Sequence, residues 1–186
     1  LPIRLVVSDN GSTDGSIDAL REAIGDDRRL VIAENGRNLG FAGACNSVLS
    51  HAKGDYCLFL NPDCLIRPDT VAKMLDVMES RPEAGIAGCV IRNPDGSEQA
   101  GCRRRIPALW SGFGRAFGLE GFFRKIARYS PIDMAWDPLP RDITEVEAIS
   151  GAFMFVRRSA MEKIGYLDDK YFLHCEDLDW CMRFRQ

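Results

Sequence analysis

The chain has 186 residues, of which 46% are hydrophobic and 27% charged, and carries a formal net charge of −3. That balance is expected of one globular domain with a full core; it excludes disordered and fibrous classes and argues against a general nucleic-acid binder. The longest apolar runs fall far short of a membrane span. The seven cysteines are scattered with no C-x-x-C pair, which argues against a disulfide framework or a zinc site and points to a reducing cytoplasm. Leu1 stands where an initiator Met is expected and Gln186 lies within a helical pattern, so we expect an excerpt of a longer protein.

In chain order, Ile3 to Asp9 is a short β-branched run that stops at a polar turn, Asn10 to Ser16. A helix follows from near Asp14 to Ser16, with Ile17, Leu20 and Ile24 as its apolar stripe. Leu30-Val31-Ile32 is a second strand, and Asn35 to Gly43 is a glycine-rich turn leading to a helix over roughly Ala42 to Ala52. Cys57-Leu58-Phe59-Leu60 has too few apolar residues for a helix and reads as a buried strand, from Tyr56, ending at Asn61-Pro62. Thr70 to Ser80 repeats the helical period through Val71, Met74, Leu75 and Met78, and Ile86 to Ile91 is another strand. Alternating strands and helices predict βαβ units.

From about residue 101 to 141 the pattern breaks, and this stretch reads as an insertion on the sheet. Trp110, Phe113, Phe117, Phe122, Phe123 and Ile126 fall at helical spacing among arginines that begin with Arg103-Arg104-Arg105. Two readings stand: peripheral contact with an anionic membrane or a lipid-linked substrate, or an ordinary helix packing its aromatic face on the sheet. Val146 to Ile149 and Ala152 to Val156 flank Ser150-Gly151, and Arg158 to Ile164 is a short helix closed by Gly165.

Two places carry chemistry. Asp63 sits just past the carboxyl end of a strand, the edge at which open α/β sheets bind ligands, and its carboxylate suits a hard divalent cation shared with phosphate oxygens. The plain alternative is a turn Asp capping the next helix. Glu176, Asp177 and Asp179 crowd three carboxylates into four residues, so the fold either uses the charge or compensates it with partners such as Arg183. A helix starting near Glu176 puts Glu176, Asp179, Trp180 and Arg183 on one face and leaves Asp177 free to project elsewhere. The plain alternative here is an acidic helix N-terminus that suits the macrodipole.

Five segments, Val6 to Ser16, Asn35 to Asn46, Leu58 to Asp63, Gly151 to Arg157 and Phe172 to Arg183, together resemble the inverting family-two glycosyltransferases with the GT-A fold. Asn61-Pro62-Asp63 and Asn38 to Asn46 resemble the bacterial rhamnosyltransferase-like members. The resemblance implies a Rossmann-like three-layer α/β/α sandwich with a mostly parallel central sheet, here truncated at both ends. It implies one domain over 1–186, with a nucleotide-sugar-binding half (1–100) and an acceptor-side half (101–186). In that family Asp9 would contact the nucleotide, with Asp14 on the turn after it. Asn38, Gly40, Gly43 and Asn46 would line the donor pocket, the glycines allowing backbone to approach the diphosphate. Asp63 would hold Mg²⁺ or Mn²⁺ with Asn61 nearby, Gly151 would border the acceptor side, and Asp177, in the catalytic pair with Glu176, would be the general base. The expected partners are a nucleotide-sugar donor and a saccharide or lipid-linked saccharide acceptor, and no nucleic acid. The expected setting is bacterial cell-surface polysaccharide synthesis in the cytoplasm, at the inner face of the membrane if the insertion makes contact there. Competing readings are a sugar-1-phosphate nucleotidyltransferase, which lacks its expected Gly-rich basic loop here, and a non-catalytic sugar-nucleotide-binding relative.

Overall fold

The computed structural model describes residues 1–106 and 132–186. The aromatic and basic stretch from Trp110 to Arg128 lies outside them. The first half runs β1 (Leu5–Asp9), α1 (Ser16–Ile24), β2 (Leu30–Glu34), α2 (Gly40–Ser47), β3 (Tyr56–Leu60), α3 (Thr70–Ser80) and β4 (Ile86–Ala87). The short strands β5 (Arg103–Arg104) and β6 (Ala148–Ile149) follow, then β7 (Phe153–Arg157), α4 (Arg158–Ile164) and α5 (Glu176–Phe184).

Most elements fall near where the sequence pattern puts them; β5 lies within the stretch read as an insertion, and several bounds are trimmed. The helix expected to continue to Ala52 ends at Ser47 and is followed by a separate single turn over Leu49–His51. The strand expected to reach Ile91 pairs only to Ala87, because at Gly88 the chain passes the Ile149 side chain so closely that an added Cβ would lie 3.1 Å from it. Ile17, Leu20 and Ile24, the stripe of α1, are all half-buried.

The strand pairing is mixed where a mostly parallel sheet is expected. β1 and β2 pair in parallel, whereas β7 lies between β3 and β4 and is antiparallel to both. β5 and β6 form a separate antiparallel pair. The run Phe153-Met154-Phe155-Val156 is buried along its whole length, and strand alternation divides it between two cores. Phe153 and Phe155 pack with Met74 and Met78 of α3 on one face. Met154 and Val156 pack with Ala42, Met161, Leu167 and Trp180 on the other. β3 alternates the same way, Tyr56 and Leu58 toward α3 and Cys57 and Phe59 toward Trp180. Helices on both faces of a sheet are the three layers the fold class requires.

Trp180 anchors the second core. It is fully buried, its indole N–H donates to the Gly165 carbonyl at 2.9 Å, and Phe59 and Phe184 meet its ring edge to face at 5.2 and 5.3 Å. That contact docks α5 against the sheet and orients its first turn. All seven cysteines are free, and burial, followed by the charge of Glu176, pushes the Cys45 thiol up to about 12.

Candidate active site

The site is assembled from three strand or helix ends. The first is the turn after β1. Asp9 is buried and its carboxylate accepts the backbone N–H groups of Gly11 at 3.0 Å and Ser12 at 3.2 Å. The Ser12 side chain, then the Ser12 and Gly11 amides, hold its carboxyl below the ordinary range against the opposing effect of burial. Asp14, which is exposed, accepts from the backbone and hydroxyl of Ser16 in the turn just before α1, whose N-cap residue is Gly15. A polar mesh joins this turn to α2: Asn10 donates to Asn38 Oδ1 and to the Gly40 carbonyl, both at 3.2 Å, and accepts from Asn35. Asn38 Oδ1 also accepts the Gly40 N–H at 2.9 Å.

Gly40 has φ +73°, and an added Cβ would lie 2.4 Å from the Phe172 carbonyl oxygen. The backbone that this glycine admits is therefore that of residue 172, whose carbonyl accepts the Phe41 N–H at 3.3 Å. Gly43 packs against its own helix, an added Cβ lying 3.0 Å from Leu39 Cβ. Asn46 donates to the Leu167 carbonyl at 2.7 Å, and its own buried Oδ1 has no partner among the described residues. The segment expected to line the donor pocket thus also ties the β1 turn to the loop that enters α5.

The second part is the loop after β3. The Asn61 N–H donates to the Ala152 carbonyl at 3.0 Å, and the Cys64 N–H closes the turn onto the Asn61 carbonyl. Asp63 is exposed on that turn, and among the described residues nothing donates to its carboxylate. The plain alternative, a cap on the next helix, does not apply to it, because Asp69 occupies the N-cap position of α3. Among the described residues no three His, Cys, Asp or Glu side chains converge into a cation cage. A single free carboxylate suits Mg²⁺ or Mn²⁺ that takes its other oxygens from a diphosphate and water.

The third part is the first turn of α5. Asp177 is buried, with its side chain 12% exposed. Its Oδ2 accepts from Arg104 Nη2 at 2.5 Å and from the Gly151 N–H at 2.8 Å, and its Oδ1 accepts the Leu178 N–H at 2.7 Å. A cation, two amides and a helix N-terminus stabilise one carboxylate there. Glu176 diverges from it. It is buried near Cys45, and its Oε2 has no partner among the described residues. The buried residues of α5 are Glu176, Asp177, Trp180 and Cys181, so Asp177 shares the inward face from which the helical wheel had separated it. Asp179 takes the expected partner, Arg183, at 2.8 Å.

The turn Ser150 to Ala152 joins the second and third parts. Ala152 is bonded to the Asn61 backbone and Gly151 to Asp177, and a Cβ on Gly151 would stand 3.3 Å from Asp177 Oδ2. Arg104 is the residue that sequence reasoning missed. Within Arg103-Arg104-Arg105 it looks like part of a solvated basic run, but each of the three has an internal acidic partner. Arg103 is paired with buried Glu98 at 2.7 Å, Arg104 with Asp177, and Arg105 with Asp137 at 2.6 Å. The available signal was strand alternation, which turns Arg103 and Arg105 to one side and Arg104 to the other.

An α/β sheet with helices on both faces thus carries an exposed carboxylate past a strand's carboxyl edge and a buried one joined to that loop through the Ser150 to Ala152 turn, an arrangement consistent with a nucleotide-sugar transferase. The comparisons agree. Residues 1–165 match the family model "Glycosyl transferase family 2", and the chain belongs to that family. It is 30% identical over 96% of its length to N-acetylglucosaminyl-diphospho-decaprenol L-rhamnosyltransferase of Mycobacterium tuberculosis, spanning 59% of that protein. It is 33% identical to rhamnosyltransferase WbbL of Escherichia coli, over 71% of this chain and 46% of that one. Mannosyltransferase PcManGT from Pyrobaculum calidifontis, solved with GDP-Man and Mn²⁺, shares the fold with TM-score 0.59 and 19% identity, over 95% of this chain and 41% of that one.

Proposed function

We propose that this chain transfers a sugar, of the hexosyl or deoxyhexosyl class, from a nucleoside-diphosphate sugar to an acceptor hydroxyl with inversion at the anomeric carbon. The observation that carries this reading is the Ser150 to Ala152 turn, which holds Asp177 on one side and the backbone of the Asp63 loop on the other. Residues 1–100 form the donor half in this reading and residues 101–186 the acceptor half. Asp9, Asp14, Asn38, Gly40, Gly43, Asn46 and Asn61 shape the donor side, and Asp63 holds the cation. A bound Mg²⁺ or Mn²⁺ offsets the charge of the departing diphosphate.

In the single displacement, the acceptor oxygen forms its bond to the anomeric carbon as the bond to the diphosphate oxygen breaks. The acceptor's proton passes to Asp177 as general base. The acceptor is a saccharide or a lipid-linked saccharide; the mycobacterial relative is named for a decaprenyl-diphosphate-linked sugar. Exposed Leu65 and Ile66 beside Asp63, and Phe172 and Leu173 before α5, support an acceptor with an apolar part. Among the described residues no helix is long and apolar enough to cross a membrane, and we place the work at the inner membrane face by peripheral contact.

Turnover with a panel of UDP-, GDP- and dTDP-sugars in Mn²⁺ tests the reading. Asp177→Asn keeps the shape of the side chain and removes the basic site, so kcat falls about 10²- to 10⁴-fold while donor affinity is unchanged. Glu176→Gln is the control. Wild-type turnover in Asp177→Asn, with loss in Glu176→Gln, would move the base to Glu176.

A further inference from the structure

We infer that Arg104 is the positioning residue of this site, holding Asp177 so that Oδ1, and not Oδ2, takes the acceptor's proton. The inference rests on Asp177 being the base. A carboxylate oxygen offers about two lone-pair positions. On Oδ2 both are occupied, by Arg104 Nη2 at 2.5 Å and the Gly151 N–H at 2.8 Å. Among the described residues Oδ1 accepts only the Leu178 N–H at 2.7 Å, the amide next in the chain, and keeps one position open.

Arg104 is itself held in place. Its residue pairs with Ala148 in the β5–β6 ladder, and the same Nη2 donates to the Ile149 carbonyl at 2.6 Å. One nitrogen with two hydrogens thus bridges β6 and the first turn of α5. The planar guanidinium fork suits such a bridging contact. The arrangement leaves Arg104 Nε buried without a partner among the described residues. Buried donors left unpaired in this way concentrate where function outweighs stability. Arg104 does not touch the reacting atoms and acts only through Asp177.

The test is a mutant cycle on turnover, using the nucleotide sugar from the panel that the protein accepts. Loss of alignment at a reacting atom costs up to about 10²-fold, so Arg104→Met lowers kcat by about 10- to 100-fold, with donor KM within about twofold of wild type. Arg104→Lys, which keeps a cation within reach, regains part of the loss. In an Asp177→Asn background Arg104→Met has no further effect, because its only route to the chemistry is gone. Wild-type kcat in Arg104→Met overturns the inference, and so does an equal loss in both backgrounds, which marks a merely structural residue. If Arg104→Met does not fold, Arg104→Gln, which also removes the cation, is run through the same cycle under the same two criteria. Full turnover in Asp177→Asn alone overturns the base assignment itself, a result separable from any outcome at Arg104.

Discussion

At the scale of single residues, the two carboxylates proposed for chemistry differ in the way their tasks demand. Asp63 is exposed with its lone pairs free among the described residues, which is what a ligand that must share a cation with an incoming diphosphate needs. Asp177 is buried and bonded on both oxygens, which is what an aligned base needs. Asp63→Ala therefore abolishes the Mn²⁺-dependent part of UDP, GDP or dTDP binding in calorimetry and leaves the melting temperature within a degree or two, since no native contact among the described residues is lost. Equal affinities for the two proteins in Mn²⁺ would remove the cation from Asp63.

At the scale of elements, the contact between α2 and the loop before α5 joins the side proposed for the donor to the side proposed for the acceptor. Gly40 is bonded to Asn10 and Asn38 in front and packed on Phe172 behind, and it adopts a left-handed conformation. The entering loop is itself unusual, since His174 and Cys175 both have positive φ, near +71° and +72°. Gly40→Ala must relieve a 2.4 Å approach to the Phe172 carbonyl and also bear a positive φ, a penalty of at least about 1–3 kcal/mol. For a domain of this size that lowers the melting temperature by roughly 3–10 °C. Gly36→Ala is the comparison: its φ of +67° is as unfavourable, but nothing lies within 4 Å of an added Cβ, so its loss is smaller. Equal losses in the two variants would show that the packing on Phe172 contributes nothing.

At the scale of the whole molecule, acid sensitivity follows from carboxylates held by their neighbours. The Arg29 side chain, then its amide, lowers the Asp27 carboxyl from 3.8 to about 2, and Asp9 is lowered by Ser12 and Gly11. A carboxyl lowered in the folded state releases its proton more readily there than in the unfolded chain. The stability it adds is complete above 3.8 and is lost as the pH falls through about 2. Asp27→Asn accordingly melts below wild type at pH 6, with the gap closing as the pH approaches 2. A gap that stays constant over that range would assign the effect to packing. The internal pairing of Arg103, Arg104 and Arg105 belongs to this scale as well, because it removes three of the most prominent positive charges from the surface available to a polyanion.

The sequence by itself determined the order of strands and helices, the edge on which Asp63 falls and the first turn in which Asp177 falls. Those follow from periodicity and turn chemistry, which act over a few residues. The apolar run Cys57 to Leu60 was also legible as a buried strand, and Ala152 to Val156 as a run beside the Ser150-Gly151 turn. Their mutual direction was not, since period-2 alternation is the same in either sense. Only the tertiary structure decided that β7 runs antiparallel to β3, setting Phe153 opposite Leu60. That direction brings the turn Ser150 to Ala152 to the carboxyl edge beside Asp63; a parallel strand would put it at the far end of the sheet. The same limit hid Arg104, whose partner lies 73 positions away in the chain. It also hid the packing of Gly40 on Phe172. An ion pair or a close approach between distant segments depends on how the layers dock, and no local pattern encodes it.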